Sequence, residues 1–140
     1  MRFFLSLLMI AACTACSAGG PGVEIGGKRF SVEIADTRQL QTLGLMYRDE
    51  MPADHGMLFI FPNEAPRAFW MKNTRIALDI MYFDKDLNMV SASLDTQPCR
   101  VRSCPSYPSV APAMYVLELN AGTADSLGIG PGTRMTLELD

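Results

Sequence analysis

The sequence predicts a single, mainly β domain, built as an antiparallel sandwich or a jelly-roll-like barrel with one or two short helices. Short apolar segments alternate with clusters of turn-forming residues, a pattern typical of consecutive β-strands. Only two stretches carry helix start and stop signals. The length of 140 residues suits one domain rather than two. Together these observations favour one all-β core over an α/β arrangement.

The first residues have the pattern of an export signal. Arg2 precedes an apolar run of about ten residues, 3–12. A bilayer-spanning helix needs about 20 apolar residues, so this run favours a secretory signal over a membrane span. We interpret residues 1–15 as a signal peptide of lipoprotein type, 16–27 as a tether with the first strand, and 28–140 as the β domain.

Two cysteines follow the apolar run. Cys13 ends the segment IAAC, which is similar to a bacterial lipobox, whereas Cys16 is a poorer match because Cys13 occupies its third upstream position. Acyl chains on such a cysteine contribute about 0.8 kcal/mol of membrane affinity per buried methylene. We expect an exported, periplasmic protein anchored by lipid at Cys13 or Cys16. Cleavage after a small residue such as Ala18, which would release a soluble periplasmic protein, is the alternative.

The charge balance limits the choice of partners. The formal net charge is −3, and no basic stripe is present. Nucleic acid is therefore not an expected partner. An acidic surface gives no attraction to anionic lipid, so membrane attachment would depend on the lipid anchor alone.

Two further cysteines, Cys99 and Cys104, lie close together in a proline-rich stretch. In an oxidising compartment this spacing favours a disulfide. Two thiolates without a nearby histidine do not complete a tetrahedral zinc site. We expect the disulfide to fix the shape of the surrounding loop.

The first predicted elements are a hairpin and a short helix. Residues 23–25 and 29–34 alternate apolar and polar about Gly26-Gly27, which predicts a tight β-turn. Asp36 or Thr37 is expected to cap a helix that Gly44 ends.

The remaining elements are mostly strands. Residues 95–112 contain four prolines and are predicted to form a long loop. Pro62 is expected to end the strand before it, and residues 121–128 to form one or two helical turns. The predicted strands cover residues 56–61, 67–73, 78–84, 89–94, 113–119 and 133–139.

Four stretches carry a resemblance to a known family: GLMYR (44–48), GMLFIF (56–61), FWMKNT (69–74, followed by LDI) and VLELNAG (116–122). In this order they resemble a bacterial and archaeal family, the domain of unknown function 192, over about residues 29–139. WMKNT is the most specific part. The resemblance implies a compact β fold of jelly-roll or sandwich type. It does not imply any particular activity, because the family has no assigned function. Ala77 stands where the family usually has proline, a departure that affects the local turn.

Strand alternation gives the WMKNT stretch a testable geometry. On a strand, Trp70, Lys72 and Thr74 lie opposite Phe69, Met71 and Asn73. Phe59, Phe69 and Met71 are the better core set, so Trp70 and Lys72 are expected on the other face.

This face suggests a ligand site. An aromatic wall beside charged donors would suit an anion or a sugar, and carboxylates would accept its hydroxyl hydrogens. The candidate ligand-binding residues are Arg48, Trp70, Lys72, Asn73, Thr74, Asp79 and Glu118. The alternative is that Trp70 belongs to the core, that the charged residues form internal ion pairs, and that Asn73-Thr74 is ordinary turn chemistry.

The first functional hypothesis is therefore a non-enzymatic envelope domain that binds a small polar ligand or a partner protein. No catalytic residue is assigned, because His55 is the single histidine and no Gly-x-Ser-x-Gly motif is present. A small hydrolase or lyase that uses carboxylates is the main alternative. Its candidate carboxylates are Asp49, Glu50, Asp54, Asp79 and Glu118.

Copper binding is a third hypothesis, and a purely structural role in the envelope is a fourth. Methionine thioethers select Cu(I), and His55 lies between Met51 and Met57. Most methionines, however, lie in apolar strands, where they are ordinary core residues. We therefore assign no metal and no cofactor. A purely structural envelope protein would show the same core pattern.

Overall fold

The computed structural model describes residues 19–139. The predicted signal peptide and the two candidate lipidation sites, Cys13 and Cys16, lie outside the described residues. Between residues 19 and 139, no helix has the length and apolar character needed to cross a membrane.

Nine strands and two short helices make up this part of the chain, which confirms the mainly β prediction. In chain order they are β1 (Gly22–Ile25), β2 (Lys28–Ala35), α1 (Arg38–Leu43), β3 (His55–Ala65), β4 (Ala68–Trp70), β5 (Leu78–Phe83), β6 (Met89–Thr96), β7 (Ser106–Pro108), β8 (Ala113–Asn120), α2 (Thr123–Leu127) and β9 (Thr136–Glu138).

Seven strands form one sheet in the order β6-β5-β8-β3-β2-β1-β9, and β4 pairs with β7 in a small second sheet. The large sheet is mixed rather than purely antiparallel, because β2 and β3 run parallel. Parallel neighbours need a crossover connection, and α1 with the loop after it supplies one. At the sheet ends, the Met89 amide donates to the Thr133 carbonyl at 2.8 Å, which brings the start of β6 next to the segment before β9.

The large sheet has an apolar core on each face. Strand β8 shows the division: Leu117 and Leu119 pack into one core, and Val116 packs into the other. Successive side chains alternate across the sheet, so Glu118 lies on the Val116 face. That second core contains Phe59, Met71 and Tyr82, and the small sheet covers it through Phe69.

The hairpin and first helix agree with their sequence predictions. Gly26 and Gly27 have φ of 59° and 75°, the left-handed conformation that a two-residue hairpin turn requires. Thr37 caps α1, its hydroxyl accepting a hydrogen bond from the Leu40 amide, and Gly44 ends the helix.

Three boundary predictions were wrong. Strand β3 continues past Pro62 to Ala65, because its pairing with β8 is irregular there and no ladder donor is required of the proline. Strand β4 ends at Trp70, since Asn73 turns the chain with φ of 57°. The predicted loop over 95–112 contains β7, which pairs with β4.

The predicted disulfide joins Cys99 to Cys104, with Cα atoms 5.9 Å apart. The Cys99 amide donates to the Met71 carbonyl, and the Asn73 amide donates to the Cys99 carbonyl, each at 3.1 Å. The disulfide-closed loop is therefore hydrogen-bonded to the chain that follows β4.

Candidate functional site

The second core opens to solvent through a small pocket between the end of α1 and the small sheet. The pocket is small, with a volume of about 30 Å³. We call it the Glu118 pocket. Its lining comprises residues 41–46, Phe59, Phe69, Trp70, Thr74 and Glu118.

Glu118 is the one ionisable side chain in this lining. The residue is 4% exposed, and burial raises the pKa of its carboxyl group to about 8. None of the hydrogen bonds formed by residues 19–139 involves this carboxyl group, and no arginine, lysine or histidine lines the pocket. Every fully enclosed side-chain oxygen in the described residues has a partner, so the unpartnered carboxyl of Glu118 must reach the pocket opening. A buried acid without a counter-charge is costly, and such groups are typical of functional sites.

Aromatic rings surround this acid. The rings of Phe59 and Phe69 meet edge to face, with centroids 4.9 Å apart, and Phe69 packs similarly on Tyr82 at 6.0 Å. Trp70 is 53% exposed at the mouth of the pocket. Phe59 and Met71 are buried and Trp70 is not a core residue, as expected, although Met71 follows the end of β4 and is not placed by strand alternation.

Thr74 and Gly44 complete the wall. Thr74 is 5% exposed, and its hydroxyl lies 3.5 Å from the Lys72 carbonyl, too long for a good hydrogen bond. The hydroxyl is therefore available to a ligand. Gly44 has φ of 48°, and a Cβ there would lie 3.4 Å from Phe59 Cζ. The positive φ favours glycine at this turn, and the added Cβ would make only an ordinary contact with the ring.

A shallower groove of about 300 Å³ continues outward from the pocket. The two share Gln41, Thr42, Phe69 and Trp70, and the groove adds Phe61, Ala68 and Arg38. A molecule too large for the pocket therefore has an aromatic surface to lie on outside it.

Arg48 lies elsewhere, in an ion-pair network on β2 and β3. Its guanidinium group makes two hydrogen bonds to the Glu33 carboxylate, which also contacts His55 Nε2 at 3.0 Å. The hydrogen bond from Arg48 is the main reason why the pKa of Glu33 falls to about 2, and His55 lowers it further against the opposing effect of burial. Ser31 Oγ lies 2.8 Å from His55 Nδ1 but also 3.2 Å from the Asp54 carbonyl.

Ser31, His55 and Glu33 are the residue types of a catalytic triad. Their hydrogen-bond partners, however, are those of a structural ion-pair network. Arg48 neutralises the carboxylate, and the Ser31 hydroxyl can donate to the Asp54 carbonyl. Neither the Glu118 pocket nor the groove outside it includes these three residues.

Lys72 and Asp79 also form internal contacts outside the pocket. Lys72 Nζ donates to the Val101 carbonyl at 2.6 Å. Asp79 is 1% exposed and accepts the amide hydrogens of Asp95 and Ala124, each at 2.9 Å. The two hydrogen bonds of Asp79 hold the end of β6 and the start of α2 against β5.

Asn73 lines a separate polar groove of about 460 Å³ with Tyr47, Asp49, Arg75 and Arg100. Of the seven candidate ligand-binding residues, the structure thus brings three into one pocket: Trp70, Thr74 and Glu118. The other four lie in the contacts just described.

Sequence reasoning missed Gln41, Gly44, Phe59 and Phe69 as pocket residues. The Gln41 amide nitrogen donates to the Ile60 carbonyl at 2.9 Å and to the Ala35 carbonyl at 3.2 Å, which fixes α1 over β3. Nothing local signals this long-range contact. For Glu118 a signal did exist, because an acid between Leu117 and Leu119 in a strand apolar on both faces must be buried.

The methionines are mostly core residues. Met57, Met71, Met81, Met89 and Met135 are all at most 4% exposed. No group of three or more histidine, cysteine, aspartate or glutamate side chains is placed for a metal among residues 19–139.

The fold and pocket together define a class: a mixed β domain whose second core ends in an aromatic pocket with a buried acid. The chain belongs to the family of domain of unknown function 192, described as an uncharacterized ACR, whose pattern matches residues 22–137. None of the curated proteins compared with the chain matches it.

Two solved structures are similar to this chain. One is a protein from Sinorhizobium meliloti 1021, provisionally called a transcription regulator, with a TM-score of 0.76 and 36% identity over 84% of this chain and 91% of that one. The other is a protein of unknown function from Novosphingobium aromaticivorans DSM 12444, with a TM-score of 0.75 and 33% identity over 83% and 82% of the two chains.

Proposed function

We propose that this protein is an exported, lipid-anchored binding domain that takes a small polar ligand in the Glu118 pocket. The unpartnered carboxyl of Glu118 is the observation that carries the proposal. A core position filled by an acid costs stability, whereas leucine at the same place would add to the core. A ligand that hydrogen-bonds to the carboxyl offsets that cost.

The exposure of Trp70 supports the same conclusion. A tryptophan that served only the core would be enclosed, yet about half of this side chain faces solvent beside the pocket mouth. Exposed aromatic side chains at a concave site with a few polar groups are typical of ligand contacts.

The proposed localisation to the cell envelope depends on the sequence alone. The apolar run over 3–12 and the lipobox-like segment ending at Cys13 support export and lipid attachment. Under this proposal, ligands are limited to molecules that reach the cell envelope.

The test uses the single tryptophan of the chain as a reporter, because Trp70 stands at the pocket mouth. Small alcohols, amides, amines and carboxylates are titrated into the purified protein while Trp70 emission is followed. We expect at least one of these classes to give a saturable change that Glu118→Leu removes. Glu24→Leu, an exposed acid on β1, is the matched control and should bind like the wild type.

If no class changes the emission and Glu118→Leu only raises the stability, the pocket binds nothing of this kind and the protein is structural. If wild type and Glu118→Leu respond alike, the site lies elsewhere and the proposal fails.

A second candidate function is proton-transfer catalysis by Glu118, as a small hydrolase or lyase. A carboxyl group that holds its proton at neutral pH can act as a general acid, and this raised pKa favours the candidate. The pocket offers no second carboxylate, which a glycoside hydrolase would need. A screen of ester, glycoside and phosphate substrates between pH 5 and 9 would reject this candidate if it found no turnover that Glu118→Gln abolishes.

A further inference from the structure

We infer that the group seated in the Glu118 pocket is the ammonium end of a primary amine, whose body lies along Trp70 in the outer groove. This inference rests on the proposed function and adds the chemical class of the ligand.

Charge is the first reason. Glu118 is the one ionisable group in the lining, and no protein cation is there to pair with it. An ammonium group supplies a counter-charge for the carboxylate form of Glu118, together with three N–H donors. The Glu118 carboxylate accepts hydrogen bonds from some of these N–H groups. The Thr74 hydroxyl can accept a further one, because it lacks a short hydrogen bond to other described residues.

Size is the second reason. The volume of about 30 Å³ leaves little room beside Glu118. An ammonium group is a small cationic head group, whereas a guanidinium or a trimethylammonium group is several times larger. The narrow pocket therefore favours a primary amine over bulkier organic cations.

The aromatic lining is the third reason. Cations are attracted to the electron-rich faces of aromatic rings, and the attraction strengthens when water is excluded. Phe59, Phe69 and Trp70 line the pocket around Glu118. Outside it, Phe61 and Ala68 extend the apolar surface on which an alkyl stem would lie.

Binding of an ammonium group has a proton signature. The free pocket holds Glu118 protonated at neutral pH, and the bound cation requires the carboxylate, so one proton leaves the carboxyl for solvent as the ion pair forms. The apparent affinity should rise about tenfold per pH unit up to about pH 8 and then level off, because alkylammonium ions keep their charge to about pH 10.

No other group facing Glu118 titrates in this range. Its partners across the sheet are Met57 and Ile80. Burial, and after it the charge of Glu118, raises the pKa of the Tyr82 hydroxyl on β5, so Tyr82 stays neutral. Within the pocket, α1, β3 and β4 contribute no ionisable side chain, and Arg38 of α1 lines only the groove outside it.

The experiment titrates the purified protein at pH 8 with n-butylamine, n-butanol, butyrate and tetramethylammonium, which share a similar size but differ in charge and head group. Trp70 emission reports binding. We expect n-butylamine to bind at least about tenfold more tightly than the other three, and Glu118→Gln to remove that preference while keeping the shape of the side chain. Glu24→Gln should leave it unchanged.

A carboxyl-carbon NMR titration of Glu118 gives a second readout that does not depend on Trp70. Saturating n-butylamine should lower the pKa of Glu118 below its ligand-free value of about 8, and n-butanol should not.

The possible failures are distinguishable. If n-butanol binds as tightly as n-butylamine and both need Glu118, the amine class is wrong while the pocket remains a binding site. If n-butylamine binds equally to Glu118→Gln, the assignment to this acid is wrong. If no probe changes either readout, the inference and the proposed function both fail.

Discussion

Tyr47 and Asn73 are joined by two hydrogen bonds, and both have a positive φ. The Tyr47 amide donates to the Asn73 carbonyl at 2.8 Å, and Asn73 Nδ2 donates to the Tyr47 hydroxyl oxygen at 3.0 Å. Their φ angles are 66° and 57°. The pair connects the segment after α1 to the chain after β4, so it holds together two walls of the Glu118 pocket. It also gives a physical reason for the GLMYR and WMKNT stretches to occur together.

Replacement of Asn73 tests this connection. Asn73→Ala should lower the free energy of unfolding by about 1–2 kcal/mol, because it loses the side-chain bond and places a less tolerant residue at positive φ. Asn73→Gly loses the bond but not the backbone tolerance, so its loss should be smaller. Urea unfolding measures both. Equal losses for alanine and glycine would show that the backbone conformation is not strained.

The pH dependence of stability should reflect Glu118. Its folded pKa of about 8 exceeds the ordinary value of 4.5, so between these values the folded state binds more protons than the unfolded state. Stability should therefore be greatest below about pH 4.5 with respect to this group, fall as pH rises to about 8, and stay level above it. The total loss should be a few kcal/mol, about 1.4 kcal/mol per unit of pKa difference at most.

Glu118→Gln is the control, because glutamine does not titrate. The variant should lose the fall between pH 4.5 and 8 and be more stable than the wild type at pH 9. Chemical denaturation at several pH values measures both. A wild-type stability that rose over this range would contradict an uncharged Glu118 in the folded protein.

The ion pair of Glu33 and Arg48 predicts the opposite dependence at acid pH. The pKa of Glu33 in the folded state is about 2, below its ordinary value of 4.5. The ionised carboxylate therefore makes its full contribution to the free energy of unfolding above pH 4.5, and this contribution is lost as the pH falls towards 2. The Glu33 and Arg48 side chains are 41% and 34% exposed, so solvent screening limits the pair to about 1 kcal/mol or less. Arg48→Met should lose this amount at pH 7 in low salt and less in high salt.

Arg48→Met also separates two views of the ligand site. Since Arg48 does not line the Glu118 pocket, the variant should bind n-butylamine like the wild type. A loss of binding without unfolding would favour the wider cleft that the sequence predicted.

Much of the fold could be predicted from local chemistry. The Gly26-Gly27 turn, the Thr37 cap and the apolar strand that buries Phe59 depend on neighbours a few residues apart, and each agrees with the structure. The parallel pairing of β2 with β3 was not predictable in the same way, because nothing local distinguishes a crossover from another hairpin.

The site was harder for a related reason. Trp70 lies in the small sheet, Thr74 in the chain after it and Glu118 in the large sheet, so the three meet through packing of elements distant in sequence. Strand alternation alone does not reveal such packing. Arg48 carries the same charge whether it faces a ligand or Glu33, so composition cannot decide between these roles. Only the contact separates them.

The N-terminal prediction is testable by chemistry outside the described residues. Mass spectrometry of the mature protein from its native membrane should find an acylated cysteine at Cys13 as the first residue, since that cysteine completes the IAAC segment. Cys13→Ala should release the protein or shift acylation to Cys16. A mature chain that begins after Ala18 without lipid would instead show ordinary signal cleavage.

Loss of the disulfide should loosen the pocket wall as well as the loop. The bridge between Cys99 and Cys104 closes a short loop, for which the chain-entropy model gives about 2 kcal/mol of stability. The loop pairs with the chain after β4 through Met71 and Asn73, and β7 beyond it pairs with β4 at Trp70. Cys99→Ala with Cys104→Ala should therefore lower the unfolding free energy by about 2 kcal/mol and also reduce the fluorescence anisotropy of Trp70.

Wild-type protein under a reducing agent is the matched control for the double variant and should behave like it. A fall in stability with unchanged Trp70 anisotropy would mean that β4 is held by its own core contacts, above all Phe69 on Phe59, rather than by the bridged loop.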